Sequence, residues 1–282
     1  MGSDLAVPAL RAGSSSFFYS FSFLPRTQRE ALKTVYAFCR TTDDIVDAEE
    51  IAVRTKIERL RDWRMELERA LDGRSVYPLL NQLSTIARRF NIPVEHFYEL
   101  VRGVEMDLVK SRYETFDELR EYCYLVASTV GLISLGIFSP RSEKTRDYAV
   151  HLGIALQLTN IIRDVAIDAG YGRVYLPQED LRRFGVSEDD LRSRRYTPVF
   201  VALMEFETSR AEEFFRQAQE ALPREDRRAM FAAKIMERIY YHTLVRIKDA
   251  RFNVFDRSVS LPRTLQFLIA LKYWIKQRIF GL

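Results

Sequence analysis

An all-α fold is expected for this chain, on three observations. Apolar residues recur at steps of three and four, the spacing that lines one face of a helix. Alternating strand-like segments with hairpin signals are lacking. Only 11 Gly and 9 Pro punctuate the 282 residues, while 47% are apolar, enough for a sizeable core. No repeat of solenoid period and no low-complexity linker divides the chain. One continuous helical domain over residues 1–282 is therefore expected, with residues 1–13 as a flexible N-terminus.

The elements follow in order. The hydroxyl- and aromatic-rich segment Ser14 to Pro25 reads as a short helix stopped before the proline. A long helix is expected from Thr27 to Ala48, with Ala31, Val35, Phe38, Thr42 and Ile45 near one stripe. A second runs from Ile51 to Leu71 and ends at Asp72-Gly73. Helices over Leu79–Arg89 and Val94–Val109 are separated by Asn91-Ile-Pro93, and a strongly apolar one covers Phe116–Phe138 up to Ser139-Pro140. Ser142 and Thr145 offer caps for the next helix, which continues through Asp168. The glycine-dense stretch Ala169 to Pro177 is a loop. Short helices near Gln178–Phe184 and Ser187–Arg192 lead to Pro198, a good first-turn residue. Ser187-Glu-Asp-Asp190 reads as an acidic helix start that complements the dipole. Helices over Val199–Leu222, Glu225–Phe252 and Leu261–Phe280 complete the chain, with Val254–Pro262 as the likeliest break.

Composition excludes several classes. A balance of 43 basic against 39 acidic residues, with no basic stripe interleaved with aromatics, argues against nucleic acid as a partner. The small excess suits anionic small molecules or an anionic membrane surface. Cys39 and Cys123 each sit in an apolar run, as small core residues of a reducing compartment. Met1 to Leu10 lacks a basic start followed by an apolar stretch, and Ala6 does not fit a myristoylation signal. No run of 18 apolar residues occurs, so a soluble or peripheral protein of the cytoplasm, or of the inner membrane face, is expected. His96, His151 and His242 are scattered without metal or triad spacing.

The chemistry-bearing residues form two acidic rows. Asn160, Asp164 and Asp168 follow at steps of four inside an apolar helical run, with Gln157 and Arg163 a turn away. Asp43 and Asp47 are likewise four apart, with Asp44 on the same side and Arg40 and Tyr36 one and two turns upstream. Repulsion between unit charges 4 Å apart is about 1 kcal/mol in water and roughly 4 at an effective dielectric of 20. A hard divalent cation turns that repulsion into binding, and Mg²⁺ combines a few carboxylate oxygens with waters and substrate phosphates. Were the two rows to face each other across an apolar cavity, they would make a metal-bridged diphosphate site with Arg as bidentate donors.

Four blocks carry a resemblance: Phe38-Cys-Arg-Thr-Thr-Asp-Asp-Ile-Val-Asp47, Tyr122-Cys-Tyr-Leu-Val-Ala127 with Val130-Gly131, Gln157-Leu-Thr-Asn-Ile-Ile-Arg-Asp164, and Arg173-Val-Tyr-Leu-Pro177. In this order they resemble the squalene/phytoene synthase family. The segment Ser14 to Pro25 and Gly153 to Asn160 look most like its bacterial hopanoid-associated branch, whose members make presqualene diphosphate. The resemblance implies a bundle of the head-to-head isoprenyl diphosphate synthase type around a deep apolar channel. It implies condensation of two farnesyl diphosphates with Mg²⁺, or Mn²⁺ in its place, and no NADPH. Carried over, Asp43, Asp47, Asn160, Asp164 and Asp168 would hold the metal. Tyr36, Arg40, Gln157 and Arg163 would line the diphosphate sites, and Ser14, Ser15, Ser16 and Phe17 would form a flap over them. Tyr122 would lie near the reacting carbons, with Arg173 and Tyr175 in a closing loop. Aromatic faces at Phe17, Phe18, Phe21 and Tyr36 are candidates to stabilise a carbocation.

Two departures are local. Ala166-Ile167 replaces the family's usual Gly-Glu, off the acidic stripe, and Ser128 stands where Gly is usual, which puts chain-length preference in question. Phytoene synthase, joining two geranylgeranyl diphosphates, is the alternative enzyme; a non-catalytic assembly or binding module is the alternative of another class. The last helix, from Leu261, could pack on the bundle or lie in a membrane interface and deliver product. A squalene-forming enzyme is an expected downstream partner.

Overall fold

The computed structural model describes residues 21–48, 50–256 and 259–280, with side chains through Lys276. The twelve described α-helices are α1 (Arg26–Asp47), α2 (Val53–Leu71), α3 (Pro78–Arg89), α4 (Glu95–Val109), α5 (Phe116–Cys123), α6 (Thr129–Phe138), α7 (Thr145–Gly170), α8 (Gln178–Phe184), α9 (Glu188–Arg192), α10 (Pro198–Ala221), α11 (Phe231–Asp249) and α12 (Arg263–Phe280). Among the described residues the only β pairing is an isolated bridge between Arg112 and Val174. The short helix expected around Ser14 lies outside the described residues up to position 20. The chain from Phe21 to Pro25 is a turn in which the Leu24 amide donates to the Phe21 carbonyl.

The amphipathic stripe expected on the first long helix is the one buried: Ala31, Val35, Phe38, Thr42 and Ile45 all face the core. Thr42 donates to the Phe38 carbonyl and accepts from the Trp63 indole at 3.0 Å, pinning α2 to α1. The longest helix, α7, is central: it packs along α10 on one side and against α6 and the preceding turn on the other. Two apolar stretches, Phe116–Phe138 and Thr145–Gly170, are long enough to cross a bilayer, which the sequence reading did not expect. About half of each apolar window is buried inside the bundle.

Three expected boundaries change for physical reasons. The apolar helix over 116–138 widens into a π-turn at Tyr124–Ser128, so α5 and α6 are separate segments. Such turns re-phase a helix and often occur at functional sites. Here Tyr122 is directed to one cluster, and Val126, Ala127, Val130 and Gly131 to a cavity. Directly across, a Cβ on Gly153 would lie 2.5 Å from the Ser128 Cα, so only glycine permits this approach. The Ser128 hydroxyl donates to the Val150 carbonyl at 2.7 Å, and Ser128 is not among the cavity-lining residues. The serine side chain therefore does not itself form part of the cavity wall.

The second change concerns the start of α7. Neither Ser142 nor Thr145 caps it; Asp226, from a distant segment, instead caps the turn that leads into it. Its carboxylate accepts from the amides of Arg141 (2.7 Å) and Ser142 (2.9 Å) and from the Thr145 hydroxyl (2.5 Å). This role also delays the following helix. Arg224–Asp226 is a 3₁₀ turn, and α11 starts at Phe231 rather than near Glu225. The acidic start at Ser187 is a full capping box with Asp190, as its sequence implies.

Asp226→Ala leaves two amides and a hydroxyl without their acceptor. A loss of about 2–4 kcal/mol is expected from urea unfolding, at the scale of several buried donors stripped of a charged partner. A loss under about 0.5 kcal/mol would contradict this cap.

Candidate active site

Both acidic rows sit at helix C-terminal halves, Asp43 and Asp47 on α1 and Asn160, Asp164 and Asp168 on α7. Between these helices lies a cavity of about 260 Å³. Its polar end is formed by Tyr36, Arg40 and Asp43 from α1 and by Gln157 and Asn160 from α7. The apolar remainder comes from Leu32 and Val35, from the π-turn and α6, from Tyr148 to Leu156, and from Met230 to Met236. Phe21 and Tyr36, two of the four aromatic candidates, line it; Ser14, Ser15, Ser16, Phe17 and Phe18 lie outside the described residues.

A third acid joins the rows, one that the sequence reading missed. Asp107, near the end of α4, accepts the Tyr122 hydroxyl at 2.9 Å and the Tyr175 hydroxyl at 2.8 Å on its two carboxylate oxygens. Its charge acts on Asp43 from one side and on Asp168 from the other. The three half-buried carboxylates therefore share one field. Burial, then Asp47, pushes the Asp43 carboxyl up to about 7, and Arg40 offsets this only in part. Burial, then Asp164, pushes Asp168 up to about 7 against the pull of Arg173 and Arg163. Burial also raises Asp107, while the two tyrosine hydroxyls pull it down.

Local folding explains how Arg173 and Tyr175 reach this cluster. After α7 ends at Gly170, Gly172 turns the chain with φ +75°, and the Arg173 amide returns to the Asp168 carbonyl at 2.8 Å. The next residues zip onto the segment before α5. The amides of Val174, Gln178 and Glu179 donate to the carbonyls of Ser111, Tyr113 and Glu114. Arg112 locks the join, donating to the Gly172 carbonyl and to both oxygens of Glu188. Tyr113, Tyr122 and Tyr175 consequently meet, with ring centroids 5.3 to 5.9 Å apart. Burial holds all three phenols protonated well beyond neutral pH.

The arginines are already engaged. Arg163 makes a two-pronged pair with the adjacent Asp164, at 2.8 and 2.5 Å. Arg40 pairs with Asp44 at 2.7 Å along the exposed side of α1. Tyr240 on α11, also missed by the sequence reading, lies partly buried against Asn160, Arg163 and Asp164 and lines the cavity. Neither Asp107 nor Tyr240 stands at acid-row spacing, so each is legible only once the helices are packed. Ile167 is 56% exposed and Ala166 is buried, so that departure leaves the acidic stripe intact.

Among the described residues no three acids converge tightly enough to cage an ion by themselves. The set is instead spread over three helices, with only partly compensated negative charge at Asp43, Asp107 and Asp168. That donor chemistry fits Mg²⁺, which takes one or two carboxylates and completes its shell with waters and phosphate oxygens.

The squalene/phytoene synthase family model matches residues 10–264. The chain belongs to the squalene/phytoene synthase family. Members of this family are prenyltransferases that catalyse head-to-head condensation, and the chain is one of them. It is 38% identical over 259 residues to a phytoene synthase of Mycobacterium bovis, covering 89% of this chain and 83% of that one. Its fold matches a dehydrosqualene synthase at TM-score 0.82 and 28% identity, over 95% of this chain and 93% of that one. It also matches the squalene synthase HpnC of Alicyclobacillus acidocaldarius at 0.76 and 29%, over 86% and 91%. The all-α bundle expected from the sequence is thus the fold of this synthase family.

The raised carboxyls give a signed expectation. A folded-state pKa near 7, against about 3.9 unfolded, means the folded protein holds extra protons between those values. Stability from these groups is therefore present at low pH and is lost as pH rises through 7. In metal-free buffer at pH 8, Asp43→Asn or Asp168→Asn should raise the melting temperature by a few degrees, and near pH 4 by much less. Equal or lower melting temperatures at pH 8 would contradict the strained-acid description.

Proposed function

We propose that the enzyme joins two farnesyl diphosphates to presqualene diphosphate, releasing diphosphate, and that Mg²⁺ (or Mn²⁺) is its metal. Asp43 and Asp47 would hold the metal from α1, with Asn160, Asp164 and Asp168 from α7. The metal supplies charge neutralisation for the departing diphosphate. Arg40, Arg163 and Arg173 add bidentate donors, with Tyr36 and Gln157 as neutral ones. Arg163 must exchange Asp164 for diphosphate, so the pair seen here is a resting arrangement that substrate replaces.

Loss of diphosphate leaves an allylic cation, and the apolar walls keep out water that would quench it to an alcohol. The double bond of the second substrate, held close, adds to that cation. Proton loss then closes the cyclopropane. Tyr122 would serve that step: as its oxygen takes the proton, its own would pass to Asp107, its hydrogen-bond partner at 2.9 Å. Released diphosphate is the other available acceptor. No electron transfer is involved up to presqualene diphosphate, so no NADPH enters the reading.

The depth of the apolar wall carries the choice of chain length. Tyr148 to Leu156 on α7 is eight helical steps, about 12 Å at 1.5 Å per residue. An extended chain advances about 1.2 Å per bond, so the eleven-bond farnesyl main chain needs about 13 Å and the fifteen-bond geranylgeranyl chain about 18 Å. A second reading, condensation of two geranylgeranyl diphosphates to phytoene, is favoured by the M. bovis relative. We place the enzyme in the cytoplasm or on the inner membrane face, with a squalene-forming reaction downstream.

Incubation with each diphosphate and Mg²⁺, without NADPH, is expected to give C30 presqualene diphosphate from farnesyl diphosphate. Conversion of geranylgeranyl diphosphate to C40 phytoene as the main product would overturn the substrate assignment. Asp43→Ala and Asp164→Ala should each reduce turnover to background with an unchanged helical circular-dichroism spectrum; full activity in either would remove the two-row site.

A further inference from the structure

Charge is unevenly divided along this chain. Residues 257–282 contain five Lys or Arg and no Asp or Glu, whereas residues 1–256 hold 38 basic and 39 acidic side chains. The whole positive excess lies in the last segment, and most of that segment is α12. The helix is docked on one face only. Ile269 and Ala270 pack with Phe231, Ile235 and Ile239 of α11, and Trp274 stacks on Phe23 at 5.4 Å. The outward surface of the helix is apolar and solvent-exposed: Leu265, Phe267, Leu268 and Ile275 are 39%, 45%, 56% and 42% exposed. Four of the thirteen large hydrophobic residues exposed on the described protein are therefore on this one helix.

The basic residues are placed beside them. Leu265, Leu268, Lys272 and Ile275 follow at steps of three and four, with exposed Lys276 next to Ile275. On the adjoining α11, Lys234 lies within the field of Lys276, Arg227 and Arg238. The acid acting on Lys234 is Glu237, which is buried and already accepts from Tyr148 and Gln219.

We infer that the outer face of α12 docks on an anionic lipid surface, with Leu265, Leu268 and Ile275 in the acyl boundary and Lys272 and Lys276 at the headgroups. An exposed apolar stripe with one lysine within it and one at its margin suits a helix lying in a membrane interface, where lysine stems snorkel to the headgroups. Charge disfavours the other occupants. A second copy related by a two-fold would set Lys272 and Lys276 against their equivalents. Residues 1–20 offer one acid, Asp4, balanced by Arg11. The inference stands on this helix alone and does not depend on which prenyl diphosphate the enzyme takes.

The test is co-sedimentation of the full chain with vesicles of phosphatidylcholine alone and of phosphatidylcholine mixed with phosphatidylglycerol. The protein should sediment with the mixed vesicles, and binding should weaken as salt is raised. Lys272→Glu with Lys276→Glu, and separately Leu265→Ser with Leu268→Ser and Ile275→Ser, should each lower binding tenfold or more, since each basic residue near such a surface contributes several-fold. Turnover of detergent-dispersed farnesyl diphosphate should be unchanged in both variants. The inference is overturned if the wild type stays in solution or if either folded variant binds like the wild type. It is also overturned if light scattering shows a wild-type dimer that the serine variant reduces to monomer.

Discussion

Everything at the mouth of this bundle depends on holding carboxylates together where water cannot fully screen them. Asp43, Asp107 and Asp168 come from three helices, and Asp107 raises the proton affinity of both others. An isolated helix would relieve such crowding by fraying or turning. These three helices cannot, because their other faces are committed to the core. The strain is local charge stored by global packing, the arrangement expected where a site is built to receive cations and phosphate rather than to be stable empty.

Two structural devices maintain that arrangement. One is the zipped join between residues 111–114 and 174–179, which sets Tyr175 and Arg173 against Asp107 and Asp168. Arg112 fastens it through Gly172 and Glu188, well outside the acidic cluster. The other is the π-turn at Tyr124–Ser128, which lets one long apolar segment serve both the tyrosine cluster and the channel wall. Its close approach to Gly153 ties the wall to α7, the helix that also carries the second acidic row.

The fold was legible because helical periodicity is a local property. The stripe on α1 and the capping box at Ser187 were readable from spacing alone. The boundaries that moved did so for long-range reasons. Asp226 holds the turn before α7 across 81 residues of sequence from Thr145, and no local pattern announces that. The same divide runs through the site. Asp43, Asp47, Asn160, Asp164 and Asp168 stand in rows that spacing alone makes visible. Asp107 and Tyr240 belong to no row, and only packing brings them to Tyr122 and Asn160. Of the two sequence departures, Ser128 bonds to a backbone carbonyl, and Ile167, off the acidic stripe by spacing, faces solvent.

The central claim is that the two acidic rows form one receptor for a metal-bound diphosphate. Calorimetric titration of the purified protein with inorganic diphosphate, with and without Mg²⁺, tests it most directly. Binding should require Mg²⁺. It should be lost in Asp47→Asn on α1 as completely as in Asp164→Asn on α7, with the double variant no worse than either alone. Diphosphate binding that survives without Mg²⁺, or that persists when one row is neutralised, would contradict a shared site.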